Sequence, residues 1–99
     1  MNTINIKTIK KSFTPILLKA GVKKSSIFGS FARGEDNALS DIDLLVDFPR
    51  GKGLFEFAGL KIELEKVINR KVDLLTYSSI SPLIREQILA DQIVIYEER

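Results

Sequence analysis

Between residues 5 and 20, apolar side chains recur at Ile6, Ile9, Phe13, Ile16, Leu17 and Ala20, at spacings of three and four. That period predicts an amphipathic helix. Pro15 interrupts it, either as a kink or as the first position of a second segment capped by Thr14. Gly21 is a natural stop. Lys24–Phe28 predicts a short strand that ends at Gly29-Ser30. A helical turn follows over Ser30–Arg33, then a polar loop over Gly34–Ser40. In Asp41–Phe48, Ile42, Leu44, Val46 and Phe48 alternate with Asp41, Asp43, Leu45 and Asp47, the period of a strand with one buried face. Pro49–Gly53 is a turn. Leu54–Asn69 predicts the longest helix, with an imperfect apolar stripe at Leu54, Phe57, Ala58, Ile62, Leu64 and Val67. Lys71–Tyr77 is a third strand. Ser81-Pro82 starts a last helix as N-cap and first-turn proline, running to about Ala90, and Gln92–Tyr96 is a fourth strand.

This order, helices alternating with strands, predicts an α/β layer with helices over a sheet. Strand 41–48 reaches strand 71–77 through a helix, a connection that normally joins parallel neighbours. Asp73 would then lie beside Asp41 and Asp43. For Gly29-Ser30 to reach the same sheet edge, its strand must run antiparallel to 41–48. The expected fold is therefore a mixed four-stranded sheet with helices packed on it, of the α/β (α+β) class.

Candidate chemistry follows from that placement. Asp41 and Asp43 share a strand face about 6.6 Å apart. Two carboxylates aimed at one point repel unless a cation lies between them. Hard oxygen ligands in that arrangement suit Mg²⁺ with nucleotide phosphates completing the shell. Gly29 lets backbone approach a ligand closely, and the turn after it opens a helix whose free N–H groups suit phosphate.

Composition narrows the choices. Ninety-nine residues, 44% apolar and 28% charged, predict one globular domain over residues 1–99. The net charge of +2 is too small to argue for nucleic acid. The lysines of residues 1–24 are read as a solvated helix face. With no His, histidine acid–base catalysis and His-ligated zinc are excluded. The absence of Cys fits a reducing compartment. No apolar stretch approaches bilayer length, and the basic N-terminus lacks a signal peptide's apolar core. The expectation is a cytoplasmic protein without membrane contact. Asp47 is assigned to solvent or a lysine contact, Tyr77 and Phe55 to core or surface, and Lys52 to a solvated loop charge.

Gly29-Ser30, a ten-residue spacer, Asp41-x-Asp43 and a later Asp73 together resemble the signature of the nucleotidyltransferase superfamily that includes DNA polymerase beta. The text FGSFARGE…SDIDLLVDF most resembles the minimal nucleotidyltransferases, the MNT-type antitoxins encoded beside HEPN toxins. The resemblance spans about Ile9 to Tyr96. It implies that Gly29, Ser30 and Arg33 bind the nucleotide. It implies that Asp41, Asp43 and Asp73 hold two Mg²⁺ ions, with Asp73 activating the incoming hydroxyl. It further implies transfer of AMP from ATP to a tyrosine of the cognate HEPN ribonuclease toxin, which silences it. The small size supports an acceptor carried on a partner protein. The alternatives are an antitoxin that acts only by binding, and a small-molecule nucleotidyltransferase.

Overall fold

The computed structural model describes residues 4–37 and 39–98. Four helices and four strands follow in the order α1 (Ile6–Lys19), β1 (Lys24–Phe28), α2 (Gly29–Arg33), β2 (Ile42–Val46), α3 (Leu54–Ile68), β3 (Val72–Thr76), α4 (Pro82–Asp91) and β4 (Ile93–Glu97), with a 3₁₀ turn over Tyr77–Ser79. The sheet order is β3-β2-β1-β4. β1 is antiparallel to β2 and to β4, and β2 is parallel to β3. The mixed sheet expected from the crossover and from the position of Gly29-Ser30 is therefore present.

α1 runs unbroken through Pro15. Asn5 caps its start by accepting from the Thr8 N–H at 2.9 Å. Its end is a Schellman arrangement: the Gly21 N–H donates to Leu18 and the Val22 N–H to Leu17, both at 3.1 Å. Gly21 takes φ +78°, the left-handed conformation this ending requires. Lys52 donates to the Ala20 carbonyl at 2.9 Å. The lysine expected to be a solvated loop charge therefore also ties the 49–53 turn to the end of α1.

One sheet face is sealed. Ile9, Phe13 and Leu17 of α1 and Leu60, Leu64 and Ile68 of α3 cover Ile27, Ile42, Leu44, Val46, Val72, Leu74 and Ile95. The buried line of α3 differs from the expected stripe. Leu54, Ile62 and Val67 are 86%, 51% and 48% exposed. The cause is geometric: residues 60, 64 and 68 recur at i, i+4, i+8 and stack on one side. Positions 54, 58 and 62 make a second apolar line centred about a third of a turn away, so periodicity alone does not choose between them.

The other face is only partly covered. Phe28, Leu45 and Ile80 form a smaller cluster with Tyr77, Ile88 and Leu89, which places α4 over this side. Strands β2 and β3 are each shorter at both ends than the alternation suggested. Asp41, Asp47 and Phe48 fall outside β2, and Tyr77 lies in the 3₁₀ turn. Tyr77 is half-buried, its hydroxyl 2.6 Å from Ser26 Oγ, while Phe55 is exposed.

Candidate active site

The register of the parallel pair places Asp43 directly beside Asp73, and the antiparallel register places Phe28 beside Asp43. Leu44 and Leu74, one residue further along each strand, lie in the sealed core. Side chains alternate across a strand, so both carboxylates project on the half-open face. Across that face the order is Phe28, Asp43, Asp73, with Gly29 immediately after Phe28.

Gly29 occupies its position for two physical reasons. Its φ of +71° is one that L side chains rarely adopt. A Cβ there would also overlap Asp43 Oδ2 and lie 3.0 Å from Asp43 Cγ. The end of β1 is thus packed directly on the Asp43 carboxylate. Ser30 follows as the second residue of α2, half-buried, with its carbonyl accepting from the Glu35 N–H at 2.8 Å. Phe31 drops into the core and holds the short helix down.

Asp43 is the most perturbed acid. Burial first, then the charges of Asp73 and Asp41, push its carboxyl from 3.8 up to about 6, while Arg33 pulls the other way. All three carboxylates therefore act on one locale. Among the described residues, no group of three or more His, Cys, Asp or Glu side chains is drawn in tightly enough to cage an ion. Asp41 Oδ2, on a part-exposed side chain, lies 4.0 Å from the exposed Lys71 ammonium. The donor chemistry fits a hard divalent cation: carboxylate oxygens only, mutually repelling, one held half-buried against a glycine.

Arg33 lies at the lip of the site. Its Nε is 3.0 Å from Glu35, and its Nη1 is 3.8 Å from Asp91 of α4. Pairs this exposed contribute little to stability.

Two positioning residues left no sequence signal. The Arg70 guanidinium donates to the carbonyls of Asn37 and Ser40, each at 3.3 Å, and stacks 5.5 Å from the Phe31 ring. It ties the loop ahead of Asp41 to both α2 and β3. Glu65 accepts from the Val72 N–H at 2.9 Å, which sets where β3, and hence Asp73, begins. Contacts between distant residues and backbone carry no periodicity, and the runs around Glu65 and Arg70 look like ordinary surface.

The family described as polymerase beta, nucleotidyltransferase, matches residues 7–99. A Methanocaldococcus jannaschii protein that carries the name of a protein adenylyltransferase is 52% identical over 90 residues, which are 91% of this chain and 97% of that one. A solved structure described as a minimal nucleotidyltransferase superposes with a TM-score of 0.80 at 32% identity, covering 94% of this chain and 98% of the other. The MNT antitoxin solved with a tri-AMPylated Shewanella oneidensis HEPN toxin shares the fold at 17% identity, TM-score 0.71, over 93% of this chain and 72% of that one. The family model spans nearly the whole fold that carries these residues, and the chain belongs to the polymerase beta-type nucleotidyltransferase family.

Proposed function

We propose that this nucleotidyltransferase transfers AMP from ATP to a tyrosine hydroxyl of a cognate HEPN toxin, and does so as a Mg²⁺-dependent, single-domain cytoplasmic antitoxin with no nucleic-acid or membrane partner. One observation carries the reading: Asp43 and Asp73 stand side by side in register on the half-open sheet face, and Gly29, at the end of β1, packs directly on the Asp43 carboxylate. The name of the 52%-identical relative supports adenylyl transfer to protein. The AMPylated toxin bound by an antitoxin of the same fold supports the acceptor class.

Asp41, Asp43 and Asp73 would hold Mg²⁺, which offsets triphosphate charge and polarises the α-phosphoryl group. The Gly29-Ser30 backbone, with no Cβ in the way, seats the phosphates, and Arg33 exchanges its exposed carboxylates for a phosphate oxygen. Asp73, exposed on edge strand β3, takes the proton from the acceptor hydroxyl. The hydroxyl oxygen forms a bond to the α-phosphorus as the bond from that phosphorus to the β-bridging oxygen breaks. Pyrophosphate leaves with the bonding pair, and AMP stays on the tyrosine as a phosphodiester.

The test is incubation of the chain with Mg²⁺, ATP labelled at the α-phosphate, and the HEPN protein encoded beside it. The expected result is label on the toxin, on tyrosine, with loss of its ribonuclease activity. Silencing of the toxin without any label would replace this reading with neutralisation by binding alone.

A further inference from the structure

We propose that the acceptor reaches this centre as a strand: an extended segment of the toxin, carrying the tyrosine, pairs with the outer edge of β3 and seats the tyrosine ring over Leu75. The proposal rests on the transfer reading above and assigns the mode of docking, which that reading leaves open.

β3 is the outermost strand on its side of the sheet. In a parallel ladder, alternate residues turn their N–H and C=O toward the neighbouring strand. The Ile42 N–H donates to the Lys71 carbonyl at 3.0 Å, and Ile42 is the register partner of Val72. Lys71, Asp73 and Leu75 therefore face β2, and Val72, Leu74 and Thr76 face outward. The ends of this outer edge are closed. Glu65 accepts from the Val72 N–H, and the Thr76 carbonyl accepts from Ser79 Oγ, both at 2.9 Å. Between them, the Val72 carbonyl, both groups of Leu74 and the Thr76 N–H have no hydrogen-bond partner among the described residues. Acceptors and donors at the spacing of alternate strand residues are what an extended backbone satisfies. No proline, lysine or bulge interrupts the strand to prevent such pairing.

The side chains of the strand give this edge its role. Asp73 and Leu75 share the half-open face, and both are exposed, Leu75 at 40%. They stand about 6.6 Å apart along the strand, close to the reach of a tyrosine from its backbone to its hydroxyl. A tyrosine opposite Leu75 lays its ring on the leucine, a favourable cross-strand pairing, and points its hydroxyl back to the Asp73 carboxylate. The phosphates seat at Gly29-Ser30, at the end of β1 and two strands away. Donor and acceptor thus approach the α-phosphorus from opposite sides, as an in-line displacement needs.

Charge selects between occupants of the edge. A second copy of this chain, pairing antiparallel through β3, would set its own Asp73 opposite this one or one pleat away, on the same face. Like charges placed so are destabilising. A tyrosine-bearing segment with no acid at that position meets no such cost.

Amide hydrogen exchange, read residue by residue by NMR on the chain alone and in complex with the HEPN protein encoded beside it, tests the proposal. In the chain alone, Asp73 and Leu75 should exchange slowly, held by β2, and Leu74 and Thr76 fast. In the complex, Leu74 and Thr76 should slow by at least roughly tenfold, while Val72, already bonded to Glu65, changes little. Substitution gives a second reading. Thr76 has φ −88°, near the range proline adopts, and its N–H points away from the sheet, so a proline fits there. In single-turnover transfer at limiting toxin, Thr76→Pro should be roughly 2–10-fold slower than Thr76→Val, which keeps the N–H. Leu75→Ala should raise the toxin concentration that gives half the maximal rate. Transfer to the toxin with no added protection at Leu74 and Thr76 overturns strand pairing and leaves the transfer reading standing. Protection of both amides in a dimer of the chain alone gives the edge to a second copy and overturns the proposal as well. Absence of label on the toxin removes the transfer reading, and this docking of its acceptor with it.

Discussion

Asp43 and Leu44 are consecutive residues with opposite surroundings. Leu44 is fully buried beneath α1 and α3. Asp43 is half-buried on the other face, between two further carboxylates and against a glycine that has no room for a side chain. The sealed face is made of apolar groups whose interests agree. The half-open face gathers like charges and a left-handed glycine, features that cost stability in isolation. The first face supplies the free energy that lets the second hold its strained arrangement, and a local rule broken without structural gain marks where chemistry is done.

The comparison is broken most sharply at the carboxylates. Asn at both Asp41 and Asp43 should reduce AMP transfer to the limit of detection and leave the chain folded, as checked by label transfer and circular dichroism. Removing mutually repelling charge does not unfold the protein. Next comes Asp73→Asn, which should slow single-turnover transfer by about 10²–10⁴-fold. ATP binding should persist, because Asp41 and Asp43 remain. A near-wild-type rate would remove Asp73 from the site. On the sealed face the outcome inverts. Leu44→Ala should cost about 2–5 kcal/mol in urea unfolding, because no neighbour can fill the space. Its specific activity should hold at temperatures where it stays folded. The smallest effect belongs to Tyr77→Phe, which removes the hydroxyl on Ser26, bonds of 2.6 and 3.3 Å. It should cost about 1 kcal/mol and leave transfer intact, since the hydroxyl bridges β1 to Gln92 on the far side of Phe28 from the acids.

Much of this difference is legible in the sequence where short-range rules apply. β1 ends at Phe28, as expected, because Gly29 alone can turn there. The neighbouring positions of Asp43 and Asp73 follow from the handedness and direction of a helical crossover, with no side-chain information needed. The buried side of α3 was not legible. Its apolar residues lie on two lines about a third of a turn apart, and packing against α1 and the sheet selects Leu60, Leu64 and Ile68. Arg70 and Glu65 were invisible for another reason. They act through single hydrogen bonds to backbone 7 to 33 residues away, which leaves no pattern. The overlap of any Gly29 side chain with Asp43 depends on the strand register to within a fraction of an ångström, beyond what alternation conveys.

The central claim is that Asp41, Asp43 and Asp73 act on one another at a single centre that needs a cation. Carboxyl-carbon NMR of Asp43 against pH, with and without Mg²⁺ and a non-hydrolysable ATP analogue, tests it most directly. Without metal the midpoint should be about 6. The sign for stability follows. The native state then holds the Asp43 proton more tightly than the unfolded chain, so Asp43's contribution to metal-free stability is fully present below about pH 4 and is lost as pH rises through 6. Asp43→Asn should abolish that decline. With Mg²⁺ and the analogue, the midpoint should drop well below 6, because bound positive charge favours the carboxylate. An Asp43 midpoint already in the ordinary carboxylate range, or one that metal and nucleotide leave unmoved, would contradict the account.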